Sequence, residues 1–218
     1  MYLQNETSFT QSERNLVSAI SLVGLTAPRQ TGFVTGTLVE TSLGWRAVET
    51  VMTGDAVQTY GGLRAVLRVR RGLVEPGNAL TYPEGLLLVP GGALNNCSAF
   101  YLLPDQHLLL ETIYAEEVFG DAATLVPAAA LEGFRGITAV RPRGLIEVYT
   151  LVLAEEDVVF ANTGVLFHCP SITDPHGALP ASDNFLTLTF GQARALLGLL
   201  EAGAVSSDEL LVAMDRAA

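Results

Sequence analysis

The chain reads as a mainly β domain with helical segments at both ends, and three observations lead there. Between Phe33 and about Cys169, short apolar runs alternate with turn signals, the pattern of many short strands. Before and after this stretch the apolar residues recur at helical spacing. The 218 residues, 49% hydrophobic and only 16% charged, suit one core-forming domain with a small appendage. The spacing divides the chain into a helix and linker over 1–31, a β domain over 32–170 and a helical tail over 171–218.

In the first segment, Thr10 and Glu13 form a capping-box pattern, Leu16, Ile20 and Val23 lie on one helical face, and Gly24 with Pro28 supplies the stop. The apolar run from Leu16 to Leu25 follows Glu6, Glu13 and a single Arg14 rather than a basic stretch, so it is not read as an export signal. No run reaches the roughly 18 apolar residues of a membrane span. A cytoplasmic location is the expectation.

Within the β domain, Leu63, Ala65, Leu67 and Val69 alternate with Arg64, Arg68 and Arg70 after a Gly61-Gly62 turn, which predicts one half-buried strand with its arginines in water. Further strands are expected at Leu86–Val89, Ala99–Leu103, Leu108–Ile113, Ile146–Leu153 and Val158–Ala161. A short helix should begin near Val126-Pro127, where proline suits the first turn. Past Pro180, Thr189 and Gln192 read as a second capping box, followed by a stripe of Ala193, Leu196, Leu197 and Leu200 and a stop at Gly203. Ser206 and Glu209 then open another short helix.

A net charge of −11 argues against nucleic acid as a partner, because binding a phosphate backbone depends on basic residues displacing counterions. Cys97 and Cys169 show no CxxC pairing and are expected to be reduced core residues. His168, Cys169, Asp174 and His176 lie near one another in sequence but fit no closed zinc motif. No metal or cofactor is expected.

Residues 32–40, GFVTGTLVE, are the most telling stretch. Phe33, Gly36, Thr37 and Leu38 resemble the opening Cys-Phe-x-x-Gly-Thr-x-[Leu/Ile/Val] of the bacterial Hint (hedgehog/intein) domain, with Gly32 standing where the cysteine belongs. Val48-Glu49-x-Val51-x-x-Gly54-Asp55 resembles the segment after that family's first hairpin. The run Ala115 to Gly120 and the run Leu125 to Ala128 are similar to its AEELFG and LVPA segments. Leu103-Pro104-Asp105-Gln106-His107 corresponds to its Ser-Pro-x-His motif, read here with His107 as the retained histidine and Pro104, or Leu103 with a one-residue insertion, in place of the serine. In the later strand Leu153–Ala161, Ala154 stands for the family's aspartate and Glu156 for its histidine.

The resemblance implies a pseudo-twofold antiparallel β fold in which a thiol at the first position attacks the preceding carbonyl and a histidine protonates the departing amine. Gly32 cannot supply that thiol. The function implied is therefore a degenerate Hint domain, without autoproteolysis or splicing and not an enzyme, used as a binding or structural module with a protein partner. The alternative is an autoprocessing domain with an atypical nucleophile among Thr31, Thr35 and Thr37. Splicing is the less favoured chemistry, because Phe167-His168-Cys169-Pro170 offers no asparagine to cyclise.

Overall fold

In the computed structural model the described residues are 31–78, 82, 84–171, 182 and 184–215, with side chains described as far as 203 in the last helix. The helix expected before Thr31 lies outside them, as do Asp174 and His176. The strands are β1 (Phe33–Val34), β2 (Leu38–Thr41), β3 (Gly44–Ala47), β4 (Ala56–Thr59), β5 (Gly62–Ala65), β6 (Arg68–Val74), β7 (Leu86–Val89), β8 (Phe100–Leu102), β9 (His107–Glu111), β10 (Ala123–Pro127), β11 (Thr138–Val140), β12 (Ile146–Val152), β13 (Asp157–Ala161), β14 (Val165–Cys169) and β15 (Leu186–Thr187). Two α-helices join them, α1 (Ile113–Phe119) and α2 (Phe190–Asp215). The expected mainly β class with a helical tail is what forms.

One sheet runs β11-β7-β8-β1-β12-β6, and the other runs β15-β10-β9-β14-β13-β2-β4-β5 with β3 beside β2. Apart from β10–β15, the strand pairs are antiparallel. The principal core lies between the two sheets. Phe33 stacks on Phe167 with ring centroids 4.5 Å apart, and Phe100 adds a tilted contact at 6.0 Å. Phe33 in β1 is thus locked to β14 of the other sheet, directly beside Gly32.

Local chemistry explains the framework around β1. Gly36 adopts a left-handed φ of 83°, and its N–H donates to Glu49 Oε2 at 2.9 Å, so the turn after β1 is closed from the 3-10 turn that follows β3. Asp55 Oδ2 accepts from the Met52 N–H at 2.9 Å and from Arg46 at 3.0 Å, the local bonding its position after Gly54 implied.

Several expectations need correcting. The arginine-rich segment is two strands broken at Val66-Leu67, because Val66 turns inward to full burial while Leu63 and Leu67 stay exposed. Ile113 opens α1 rather than ending a strand, since Thr112 caps that helix by accepting from the Tyr114 N–H at 3.2 Å. Val126-Pro127 closes strand β10, and the short helix is a 3-10 turn over Ala128–Leu131. Cys169 is buried as expected, whereas Cys97 is exposed.

The tail keeps its capping box. Thr189 N–H donates to Gln192 Oε1 at 2.9 Å, and Gln192 N–H returns to Thr189 Oγ1 at 3.3 Å. Ala193, Leu196 and Leu197 then enter the principal core. Gly203 does not stop the helix, which runs through it to Asp215. It fits against Tyr114 instead, whose hydroxyl would lie 2.1 Å from any Cβ at 203. No described helix is long and apolar enough to cross a membrane.

Because Phe33 is fully buried in a stacked pair, Phe33→Ala should cost about 3–5 kcal/mol in a urea unfolding titration. A loss below about 1 kcal/mol would mean that the β1–β14 contact is not a principal tie of the fold.

Candidate functional site

The register of β1 on β12 pairs Phe33 with Tyr149 and Val34 with Val148, so Gly32 continues the ladder opposite Thr150. Gly32 has φ +140°, and a Cβ built on it would lie 2.6 Å from the Tyr149 carbonyl oxygen and 3.0 Å from Thr150 Oγ1. The described backbone therefore leaves no room for a side chain at position 32. Glycine is the residue that tolerates both the dihedral and the close backbone.

Both poles of the Thr31–Gly32 peptide are held. Thr150 Oγ1 donates to the Thr31 carbonyl at 2.7 Å, and the Gly32 N–H donates to Gln106 Oε1 at 2.8 Å. Gln106 is fully buried, and its Nε2 donates to the His168 carbonyl at 2.8 Å and to the His107 carbonyl at 2.9 Å. This assignment of the amide is dictated by its partners, since one N–H must meet an oxygen and two carbonyls must meet the nitrogen. The main chain of Gln106 is satisfied as well, donating to Leu103 O and accepting from Ala128 N–H.

Gly32 and the 103–107 segment, 74 residues apart at their point of contact, thus meet as the resemblance implied. The side chain that makes the contact is Gln106. His107 Nδ1 is buried with no hydrogen-bond partner among the described residues. Burial pushes the His107 pKa down to about 4, the nearby His168 adds to the fall, and a backbone hydrogen bond with Asp105 opposes it. His107 is a neutral imidazole near pH 7.

His168 is buried in β14, with its Nε2 2.8 Å from Glu156 Oε1 and its Nδ1 unpartnered among the described residues. Burial lowers its pKa, and the hydrogen bond and charge of Glu156 work against that. Glu156 also accepts from the Ser182 hydroxyl. Glu156 therefore belongs to a polar cluster with His168, linked to the Gly32 amide through the His168 main chain and Gln106. Ala154 sits exposed.

Among the possible nucleophiles, Thr37 is buried and its hydroxyl lacks a partner, so no described base activates it. Thr35 is exposed. No three His, Cys, Asp or Glu side chains among the described residues are grouped to hold a metal.

Gln106 and Thr150 are the residues that sequence reasoning passed over. A signal for Gln106 was present, because aligning Ser-Pro-x-His on Pro104 without an insertion brings Gln106, not His107, onto the histidine position. Thr150 carries no motif, and its role follows from strand register alone.

With this geometry in view, the sequence matches the Hint domain family over residues 31–167, and the chain belongs to that family. Similar solved structures include a bacterial intein-like domain from Clostridium thermocellum, at 18% identity over 64% of this chain and 99% of that one, with a TM-score of 0.46. The gp41-1 intein is 14% identical over 64% of this chain and 99% of its own, with a TM-score of 0.41. The MchDnaB-1 intein is 14% identical over 63% of this chain and 98% of its own, with a TM-score of 0.37. No curated protein matches the chain.

Two outcomes follow from the site. Gly32→Ala should lose more stability than Gly36→Ala, by about 1–3 kcal/mol, because both have positive φ but only position 32 meets backbone. Equal losses in urea titrations would remove the steric argument. Between pH 6.5 and about 4 the unfolded chain binds a proton at residue 107 that the folded chain refuses, so stability should fall as pH falls through that window. Melting temperatures at pH 7.5 and 5.5 should differ less in His107→Leu than in the wild type, and an unchanged difference would refute the assignment.

Proposed function

We propose that this Hint domain carries out neither autoproteolysis nor splicing and serves as a binding or structural module. The observation that carries the reading is the Tyr149 carbonyl 2.6 Å from where a Cβ at position 32 would stand. A domain that cleaves through this position needs a nucleophile there, and the described backbone leaves space for none. The second support is Gln106 on the Gly32 amide. Its oxygen accepts the amide proton and holds none to give, so the amine has no acid to help it depart. Gly32, Gln106, Glu156 and Ala154 are read as the altered positions of the former site, with His107 beside it as a neutral, buried histidine.

One observation favours the second reading, an autoprocessing domain with an atypical nucleophile. The Thr150 hydroxyl donates to the Thr31 carbonyl as a donor that stabilises a developing oxyanion would.

Intact-mass spectrometry after long incubation with dithiothreitol or hydroxylamine should return the undivided chain. Fragments separating between Thr31 and Gly32 would overturn the inactive reading in favour of the second. Gly32→Cys alone should restore little cleavage, and Gly32→Cys with Gln106→His should exceed it by about 10²-fold, the usual worth of a positioned acid. Equal rates in the two variants would show that Gln106 is not at the acid position.

A further inference from the structure

One segment ends both sheets. β5 is the last strand of one and β6 the last of the other, and the chain passes from β5 to β6 through Val66-Leu67 alone. Strand β6 is seven residues long and pairs with β12 along its whole length, from Arg68 opposite Val152 to Val74 opposite Ile146. On its other side no described strand pairs with it. Alternate N–H and C=O groups of an edge strand point away from its neighbour and await partners.

The charge on this segment opposes that of the protein. Against 23 acidic residues the chain has 12 basic ones, all arginine, and four of them, Arg64, Arg68, Arg70 and Arg71, fall here. Arg64 lies 3.6 Å from Asp157, and Arg71 lies 4.0 Å from Glu147 and over the Tyr149 ring. As is also true of Arg141 and Arg143, the side chains of Arg68 and Arg70 make no hydrogen bond or ion pair with any described residue. Both occupy one face of β6, opposite Val152 and Thr150, and Arg70 is half-buried there. A partly desolvated guanidinium without an anion is uncommon, because its lost hydration is ordinarily replaced by a carboxylate. Arginines on an edge also deter self-pairing, but that purpose does not require them to go without carboxylates in so acidic a chain. Exposed Leu67 and Leu73 flank the pair.

We propose that β6 is a docking edge on which a partner segment of extended, acidic sequence adds as a further strand, its carboxylates meeting Arg68 and Arg70. Main-chain bonds would supply the attachment and the two arginines the selectivity, as in other strand-addition complexes. The inference gives a partner chemistry to the binding module proposed above and rests on that reading only so far. The mass measurement on Thr31–Gly32 and the binding measurement below can fail separately.

The full chain is titrated against a fluorescein-labelled (Glu-Thr)6 peptide by anisotropy, with (Lys-Thr)6 and a dT12 oligonucleotide as comparisons, and exchange of the β6 amides is followed by mass spectrometry. The expected result is saturable binding of the acidic peptide, weakened about tenfold by Arg68→Ala with Arg70→Ala, abolished by Arg68→Glu with Arg70→Glu, and accompanied by slowed exchange over 68–74. Unchanged melting of the variants separates lost binding from lost folding, and the exchange measurement on the wild type needs no variant. Absence of binding, equal binding of (Lys-Thr)6, preference for dT12, or binding that leaves the β6 amides unprotected would each overturn the proposal.

Discussion

The buried side chain of Gln106 is the tie on which the site geometry depends. Through one amide it joins the residue before β1, the turn before β9 and the end of β14, which are distant in sequence and drawn from both sheets. A buried amide is costly unless its donors and acceptor are all met. Here they are met only when the three segments lie together, so the hydrogen bonds specify the arrangement that Phe33 and Phe167 stabilise by stacking. Burial of the aromatic pair supplies energy without direction, and the amide supplies direction.

The same interior carries a polar cost in its histidines. His107 and His168 each retain a buried Nδ1 with no described partner. Burial lowers both pKa values in the sense that keeps the imidazoles uncharged. Glu156 offsets part of this by accepting from His168. Around Gly32 the polar side chains of Gln106, His168 and Glu156 are therefore engaged with one another or with the main chain.

At the opposite extreme are the groups that the fold leaves without internal use. Five of the nine described arginines find carboxylates, carbonyls or rings, as Arg46 does with Asp55 and Arg194 with the carbonyls of Ala130 and Glu132. Arg68, Arg70, Arg141 and Arg143 do not, and the first two also lie on a strand edge that no described strand covers. Two kinds of unsatisfied group on one strand edge describe a surface shaped by something outside the core.

Much of this protein was legible in its sequence by itself, because local rules acted there without competition. Period-two runs and turn residues located seven of the fifteen described strands, β5 to β9, β12 and β13, Thr189 with Gln192 marked the start of α2, and Gly36 with Thr37 marked the family. What only the tertiary structure decided were matters of register and close approach. Leu63 and Leu67 alternate like buried residues yet face water, since Val66 turns inward where the chain changes sheets. Gly203 resembles a helix stop, yet it is a contact point for Tyr114. His107 was the visible histidine, but whether it or Gln106 meets Gly32 turns on one residue of strand phase, and a shift of one reverses which face each side chain occupies. The absence of space at Gly32 is likewise a property of the Tyr149 carbonyl on another strand, which no pattern local to Gly32 could reveal.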